Sequence, residues 1–362
     1  MGVKNDDLSV NYKRMAELKC PKALQLFFSA IQSPYSKKDI DTGFFLHTRE
    51  EPNVYKDYRV SAYNLTSLIN SPFDENKETK FVVHGFYSNV YRQWLKDMAA
   101  ALLQYGDYNV LRVDWGKGSL TLPDQALANT KVVGEEIAYF VNTLKGELNV
   151  NVSKCHCIGH SMGGYVCGFA GQGIDKLGRI TALDPAPKEF FEVENNEKLD
   201  PSDAEFVDAI HTGFSLLNIL PSIAVPQPVG HLDFYVNEGH YQTGCYLSLT
   251  SLLNPTNNLE EDLIDLVSNE VTCGHLRPIT YYIESILNPS CQASVPPVGL
   301  TVQIVGLLGP RAIEYTDKSR ENVVLFIKTA AKSPFCVQHY VVSISTGIIV
   351  QDESPSGGSY NF

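Results

Sequence analysis

The feature that most constrains this chain is the alternation of strand-like and helix-like segments between residues 80 and 184. Short apolar runs, each typical of a buried strand, alternate with longer segments of helical composition or helical apolar spacing. Strands are predicted at Lys80–Phe86, Tyr108–Trp115, Lys154–Ile158 and Ile180–Leu183, and helices at Tyr91–Gln104, within Asp124–Leu148 and at 162–173. This alternation predicts an α/β fold, with a mainly parallel central sheet covered by helices on both faces.

A Gly-x-Ser-x-Gly pattern lies just after the third predicted strand, at Gly159, Ser161 and Gly163. The pattern alone is weak, because three such positions match by chance in roughly one chain in ten of this length. Its context is stronger, since Ser161 falls between a strand and a helix, as a nucleophile elbow requires. The tight turn also explains the flanking glycines, because side chains there would collide with nearby chain. We therefore expect Ser161 to be a nucleophile; the alternative is a glycine-rich turn without chemistry.

A nucleophilic serine needs an orienting acid and a base, which follow it in that order in α/β-hydrolases. Asp184 ends the next predicted strand and so emerges at the same edge of the sheet. Asp200 and Asp203 lie in a loop with no preceding strand and are weaker candidates. The residues alone do not select the base, because five histidines follow: His211, His231, His240, His275 and His339.

An anionic tetrahedral intermediate needs hydrogen-bond donors, and two backbone amides are candidates. One is the N–H of Met162, the residue after the predicted nucleophile. The other is the N–H of Phe86, in the sequence VVHGFYS that follows an early predicted strand. The alternative for His84-Gly85-Phe86 is an ordinary turn.

Composition limits the function classes. The net charge of −12 argues against nucleic acid as a partner, and no apolar run approaches the roughly 20 residues of a transmembrane helix. Eight cysteines and two glycosylation sequons, at Asn64 and Asn151, favour a secreted protein. The first 20 residues lack the apolar core of a signal peptide, so an intracellular protein with free thiols is the alternative.

Eight collinear blocks resemble the pancreatic lipase family of animals, and the resemblance extends from about residue 34 to about residue 346. The blocks are HGF, RVDWGKGS, QALANTKVVGEEIAYFV, GHSMGGYVCGFAG, GRITALDPA, LDPSDAEFVDAIHT, GHLDFYVNEG and CGHLRPITYYIESI. The resemblance implies an α/β-hydrolase fold with an amphipathic lid, and a triad of Ser161, Asp184 and His275. It implies a catalytic domain over 34–336, an N-terminal extension over 1–33, and a strand remnant with a disordered tail over 337–362.

The resemblance also implies a calcium site and a lid. A structural calcium ion would be bound by the side chains of Asp200 and Asp203 and by the backbone carbonyls of Asn195 and Lys198; catalysis itself would need no cofactor. Oxygen ligands suit this hard cation, and two solvated carboxylates without an ion are the alternative. Cys245 and Cys273 match the cysteines that close the family's lid, which would span residues 246–272.

The lid segment has the pattern of an amphipathic helix. Leu259, Leu263, Leu266 and Val267 share one helical face, and acidic residues lie mostly opposite. Such a helix can cover a site in water and turn its apolar face to lipid at an interface, although a plain surface helix is the alternative. A second long, apolar loop, from Gly213 to Val229, favours the triacylglycerol lipases of the family over its phospholipase A1 members.

The chain also departs from the family pattern. The family's HTDG motif reads His211-Thr-Gly-Phe214, so an acidic position is lost. The C-terminal lipid- and colipase-binding β-sandwich is expected to be absent, which makes dependence on a colipase doubtful. Cys155, Cys157 and Cys167 lie on predicted core elements and are expected to be free, whereas Cys20, Cys291 and Cys336 have no assigned partners. The leading hypothesis is a secreted triacylglycerol lipase; the alternatives are a phospholipase A1 and a non-catalytic, lipid-binding homologue.

Overall fold

The structure is a computed structural model of the chain. The residues that it describes are 33–56, 58–186, 198–213, 224–240, 242–245, 259–288, 308–315, 318–319, 321–335 and 342–343, with the backbone alone at 259–271 and 342–343. Most of the predicted N-terminal extension and most of the segment 337–362 therefore lie outside the described residues, as do Cys20, Cys291 and Cys336.

One sheet organises the described residues. Its ten strands are β1 (Gly43–His47), β2 (Arg59–Val60), β3 (Glu78–Val83), β4 (Tyr108–Asp114), β5 (Cys155–His160), β6 (Arg179–Leu183), β7 (Val207–His211), β8 (Leu232–Val236), β9 (Val323–Ile327) and β10 (Val342–Ser343). Their order across the sheet is β10-β9-β8-β7-β6-β5-β3-β4-β1-β2. Strands β3 to β9 are parallel to one another, and β1, β2 and β10 join antiparallel.

Helices connect the strands of the sheet. They are α1 (Lys37–Ile40), α2 (Leu65–Ile69), α3 (Gln93–Tyr105), α4 (Gly116–Ser119), α5 (Pro123–Leu148), α6 (Met162–Gln172) and α7 (Leu259–Leu287). Short 3-10 helices occupy Val152–Lys154, Pro201–Asp203, Asn237–Gly239 and Gly309–Glu314. Within the described ranges, no helix combines the length and the apolar character needed to cross a bilayer.

Two apolar layers cover the two faces of the sheet. Along β3, Phe81 and Val83 point into the layer that contains α5 and α6. Val82, between them, points into the opposite layer with α3 and α7. Side chains of a strand alternate between faces, so an almost wholly apolar strand must be buried on both sides. The predicted α/β-hydrolase fold, with a mainly parallel sheet and helices on both faces, is therefore confirmed.

The strands that the apolar pattern did not predict include β7 and β8, which are buried along their whole length. Each contains an aspartate that breaks the apolar run. Asp208 in β7 forms a salt bridge of 2.7 Å with Arg179 of β6. Asp233 in β8 lies 2.8 Å from a ring nitrogen of His211 in β7. These buried charges are compensated by neighbouring strands, a tertiary fact that sequence periodicity does not reveal.

The expectation that Cys157 and Cys167 are free was wrong. They form a disulfide with a Cα–Cα distance of 5.6 Å. Cys157 lies on β5, Cys167 lies on α6, and the turn at Ser161 folds the helix back along the strand. Two residues on opposite sides of that turn thus become neighbours, although each was assigned to the core separately. Cys155 is a buried free thiol, as predicted.

Candidate active site

Ser161 occupies the turn between β5 and α6, and its backbone is strained. Its φ of 58° lies in the left-handed region that residues other than glycine seldom adopt. The neighbouring glycines leave room for this turn. A β-carbon on Gly159 would lie 2.1 Å from the carbonyl oxygen of Gly163, and one on Gly163 would lie 2.5 Å from that of Val83. The local sequence therefore permits a turn that larger residues would block, and it holds Ser161 at the carboxyl edge of the sheet.

Asp184 follows the last residue of β6 and is fully buried. Its Oδ2 lies 2.6 Å from Nδ1 of His275. Its Oδ1 accepts hydrogen bonds from the backbone N–H groups of Thr212, at 2.7 Å, and Gly213, at 2.9 Å. These bonds fix the carboxylate, so the aspartate can hold one tautomer and one orientation of the imidazole ring.

Gly213 also explains the altered HTDG motif. A β-carbon at this position would lie 2.3 Å from Oδ2 of Asp184 and 3.3 Å from Cα of His275. Here the backbone of residue 213 is packed directly against the Asp184–His275 pair. A side chain at this position would collide with the Asp184–His275 pair unless its neighbours moved, which accounts for glycine here.

His275 lies on α7 and contacts His160, the residue before Ser161. A ring nitrogen of His160, Nε2, lies 2.8 Å from the carbonyl oxygen of His275. The two ring centroids are 4.7 Å apart. Burial and, to a smaller extent, the nearby His275 together lower the pKa of His160 to about 3. His160 was not among the predicted site residues, although a histidine directly before the predicted nucleophile is visible in the sequence.

The other candidate histidines have different partners. His211 is paired with Asp233 inside the sheet. Nδ1 of His231 accepts a hydrogen bond from the Val207 N–H at 3.0 Å. His240 lies 3.4 Å from Glu238, and His339 lies outside the described residues. Of the described histidines, His275 alone has a hydrogen bond to Asp184.

The two predicted oxyanion donors belong to the two segments next to Ser161. Met162 is the first residue of α6, where N–H groups have no acceptor within the helix and the helix dipole is positive. Phe86 follows Gly85, whose backbone packs on the serine. A β-carbon on Gly85 would lie 2.7 Å from Cβ and 3.2 Å from Oγ of Ser161. Both segments therefore reach the serine side chain.

Three of the four predicted calcium ligands are described, and Asn195 lies outside the described residues. Asp200 caps the 3-10 helix Pro201–Asp203, and Asp203 reaches back to the N–H of Asp200 at 3.0 Å. The Lys198 carbonyl accepts a bond of 3.3 Å from Gln172. Asp203 is buried with no salt bridge in the described part of the chain, and burial raises its pKa to about 8. A buried carboxylate of this kind fits a cation, because a cation would stabilise its charged form.

The predicted lid disulfide, Cys245–Cys273, is present, with a Cα–Cα distance of 5.7 Å. Helix α7 starts at Leu259 within the predicted lid and continues through His275. Residues 246–258 and the side chains of 259–271 lie outside the description, so the amphipathic face stays a prediction. The backbone nevertheless joins the lid segment and His275 in one helix.

Both sequons lie at the protein surface. Asn64 and Asn151 are exposed. Asn151 accepts hydrogen bonds from the backbone N–H and hydroxyl of Ser153, the third residue of its sequon. The surface positions suit modification, which stays a prediction.

Comparison with known proteins places the chain among lipases. A family model described as Lipase matches residues 11–299. The pancreatic triacylglycerol lipase of Myocastor coypus is 40% identical over 260 residues, which cover 71% of this chain and 55% of that protein. The inactive pancreatic lipase-related protein 1 of Mus musculus is 38% identical over 263 residues, covering 73% and 54%. The solved structure of the esterase PE8 is 15% identical with a TM-score of 0.30, covering 38% of this chain and 69% of that one. The chain spans about half the length of the curated relatives it matches.

Proposed function

The chain belongs to the lipase family, and from this premise we propose that it is a secreted serine carboxylester hydrolase that cleaves triacylglycerol at lipid–water interfaces. The observation that carries the proposal is the 2.6 Å contact between Asp184 and His275 beside the strained Ser161 turn. A strained serine, a neighbouring histidine and a buried aspartate in this relation are the parts of an acyl-transfer site.

In the first half of the reaction, Ser161 Oγ attacks the ester carbonyl carbon, and Nε2 of His275 takes the hydroxyl proton. Asp184 keeps the proton on Nδ1 and stabilises the imidazolium that forms. The N–H groups of Phe86 and Met162 bind the oxyanion. When the intermediate collapses, the C–O bond to the alcohol breaks. His275 then protonates the departing alkoxide, and an acyl group stays on Ser161.

Water completes the reaction by the same route. It gives a proton to Nε2 of His275 and attacks the acyl carbon. The bond to Ser161 Oγ then breaks, His275 returns the proton to Oγ, and a fatty acid leaves. His160 contributes by staying uncharged, because its pKa of about 3 keeps the ring neutral while His275 becomes cationic. A second cation beside the imidazolium would destabilise it.

Calcium is proposed as a structural ion. Asp200 and Asp203 would supply carboxylate oxygens, and the carbonyls of Asn195 and Lys198 would complete the protein ligands. When bound, the ion would supply positive charge to a carboxylate that is buried without a salt bridge in the described residues. The triad chemistry needs no metal.

Secretion and interfacial action rest on separate features. Two disulfides favour an oxidising compartment, and the exposed sequons are compatible with glycosylation there. The cysteine-closed segment 246–272 and the long apolar loop after Gly213 favour a bulky apolar substrate. The inactive mouse relative shows that a similar chain can lack activity, so the test includes this alternative.

The test is an assay of purified protein on emulsified triacylglycerol beside phosphatidylcholine liposomes. The expected result is faster release of fatty acid from triacylglycerol. Ser161→Ala should abolish release, while Ser33→Ala, at an exposed serine, should not. Faster hydrolysis of phosphatidylcholine would instead favour a phospholipase A1. Equal, negligible release by wild type and Ser161→Ala on both substrates would favour a non-catalytic lipid-binding protein.

A further inference from the structure

His84 is a fully buried polar residue that the proposed mechanism does not use. It directly follows β3 and precedes the Gly85–Phe86 segment. Its ring stacks on the indole of Trp115 at a centroid distance of 5.4 Å and an interplanar angle of 7°. Its backbone carbonyl accepts a 2.7 Å hydrogen bond from Nε1 of Trp115. The ring is therefore held in one plane against a large aromatic neighbour.

The hydrogen bonds of His84 locate its proton. The backbone N–H of Trp115 lies 3.2 Å from Nε2, and an amide can only donate, so Nε2 of the neutral ring accepts. The proton then lies on Nδ1, which donates to the carbonyl oxygen of Gly85 at 2.9 Å. Asp114 lies 3.4 Å from Nε2 and would pair with the ring if it gained a second proton. Nδ1–H therefore faces Gly85 in the neutral ring, and it would also face Gly85 in a doubly protonated ring.

The bond to Gly85 fixes the orientation of the next amide. The Gly85–Phe86 peptide is trans, so its C=O and N–H point in opposite directions. With the carbonyl bound to His84, the Phe86 N–H points away from that ring. Gly85 packs against Ser161, where its β-carbon would lie 3.2 Å from Oγ. A rotated peptide would reverse the two groups, so that a carbonyl oxygen would point where the Phe86 N–H points now.

We propose that His84 is a positioning residue, which holds the Gly85–Phe86 peptide so that the Phe86 N–H faces the oxyanion formed at Ser161. The inference rests on the proposed function, because an oxyanion arises only if Ser161 attacks an ester. His84 touches neither the substrate nor the reacting atoms, and it acts through one hydrogen bond to a backbone carbonyl. The competing explanation is that His84 merely fills space beside Trp115.

Two amide variants separate these explanations. In His84→Asn the amide nitrogen takes approximately the place of Nδ1 and can still donate to Gly85. In His84→Gln the amide lies nearer the place of Nε2 and keeps the contact with Trp115 instead. Glutamine also fills more of the space left by the ring. A purely structural role therefore favours His84→Gln, whereas the positioning role favours His84→Asn.

The experiment measures kcat and KM on a short soluble ester, together with melting temperatures. It also measures inhibition by an alkylboronic acid, which forms a tetrahedral anion on a nucleophilic serine. We expect His84→Gln to lower kcat about 100-fold with little change in KM, the size of effect seen when one oxyanion donor is lost. Boronate affinity should fall by a similar factor. His84→Asn should keep kcat within about tenfold of wild type, even if it melts at a lower temperature.

Several results would overturn the inference. Wild-type kcat in His84→Gln, a loss confined to KM, or activities that follow the melting temperatures would show that His84 only supports packing. If neither variant folds, ¹⁵N chemical shifts of wild-type His84 decide, since a neutral ring protonated at Nε2 contradicts the donor role. The Ser161→Ala variant distinguishes failure of the proposed function from failure of the His84 inference. An inert wild type or an active Ser161→Ala overturns the proposed function and this inference together, whereas an active wild type with an inert Ser161→Ala leaves the His84 result to stand alone.

Discussion

Among the described residues, two fully buried aspartates each bind a histidine ring, and one of the two pairs has the surroundings that catalysis needs. In the pair of His211 and Asp233, both side chains are fully buried and the ring nitrogens lie 2.8 Å from the carboxylate and 3.1 Å from the Val225 carbonyl. In the pair of His275 and Asp184, the aspartate is fully buried but the histidine side chain retains 15% of its exposure.

The difference lies in what the second ring nitrogen can do. In His211 both nitrogens are occupied by acceptors, so the ring can join strands but cannot accept a proton from a serine. In His275, Nδ1 is bound to Asp184, while the described residues offer Nε2 no hydrogen-bond partner. A histidine–aspartate pair is therefore not a catalytic signature until one nitrogen is free beside a nucleophile.

Substitution of the two histidines should give the largest difference between the two pairs. His275→Ala should lower kcat on a soluble ester on the order of 10⁶-fold, since the loss of one triad residue removes the function of the unit. His211→Asn should lower the melting temperature, because it disturbs a fully buried hydrogen-bond network, yet retain kcat for each folded molecule. Steady-state kinetics normalised to folded protein would check both. Loss of kcat in folded His211→Asn would contradict the distinction.

Substitution of the two aspartates should give the next largest difference between the pairs. Asp184→Asn should reduce kcat about 10⁴-fold with the melting temperature changed little, because an amide favours the wrong tautomer of the histidine. Asp233→Asn should instead destabilise the fold by about 1–3 kcal/mol, because the Val229 amide binds Oδ1 and the Gly230 amide binds Oδ2, so the NH₂ group of asparagine would face one of these donors. At Asp184 both backbone amides bind Oδ1, an acceptor that asparagine retains. Denaturant titration and kinetics of both variants test the contrast. Equal losses of kcat in the two variants would contradict the contrast between a catalytic Asp184 and a structural Asp233.

Access to His275 can be tested through the helix that carries it. The predicted apolar face of the lid includes Leu263 and Leu266, and α7 continues from this segment to His275. The double variant Leu263→Ser with Leu266→Ser should lower hydrolysis of emulsions about tenfold or more, because apolar area that would adsorb to lipid is lost. Hydrolysis of a soluble short-chain ester should change little. Equal losses on both substrates would mean that the segment supports the site itself.

Asp203 extends the comparison to a buried carboxylate that has no histidine or arginine partner in the described part of the chain. Burial raises its folded pKa to about 8, above the usual value of 3.8 for aspartate. The protonated side chain therefore makes its full contribution to stability below pH 3.8. The contribution is lost as pH rises through the folded pKa. In chelator, the melting temperature should therefore fall on the order of 5 °C between pH 5 and pH 8.5 relative to Asp203→Asn. Calcium should remove this difference in wild type, and no response to calcium at pH 8 would contradict the metal site.

Local sequence accounts for the elbow and the acid. The glycines around Ser161 and the strand that ends at Asp184 place both residues at one edge of a parallel sheet, because such strands all end there. The same local pattern predicted the Met162 and Phe86 amides. These residues belong to short, contiguous motifs, and the backbone conformation of such motifs is determined largely by their own sequence.

Contacts between residues far apart in the sequence could not be predicted from local sequence patterns. His275 lies 91 residues after Asp184, and only the family resemblance selected it from five histidines. The amide of Gly213, the contact between His160 and His275, and the Cys157–Cys167 disulfide all depend on how elements pack. Sequence spacing did not indicate these contacts. The roles assigned to the site, independence of a colipase, glycosylation and calcium stay predictions.

The most direct test of the central claim is covalent labelling of the serine by a fluorophosphonate, with mass spectrometry of the peptides. In this reaction a P–O bond forms at an activated serine and fluoride leaves. Wild type and folded His211→Asn should carry one label, on Ser161, at comparable initial rates, and His275→Ala should carry none on that time scale. A label on another residue, or labelling of His275→Ala at the wild-type rate, would contradict the claim that Asp184 and His275 activate Ser161.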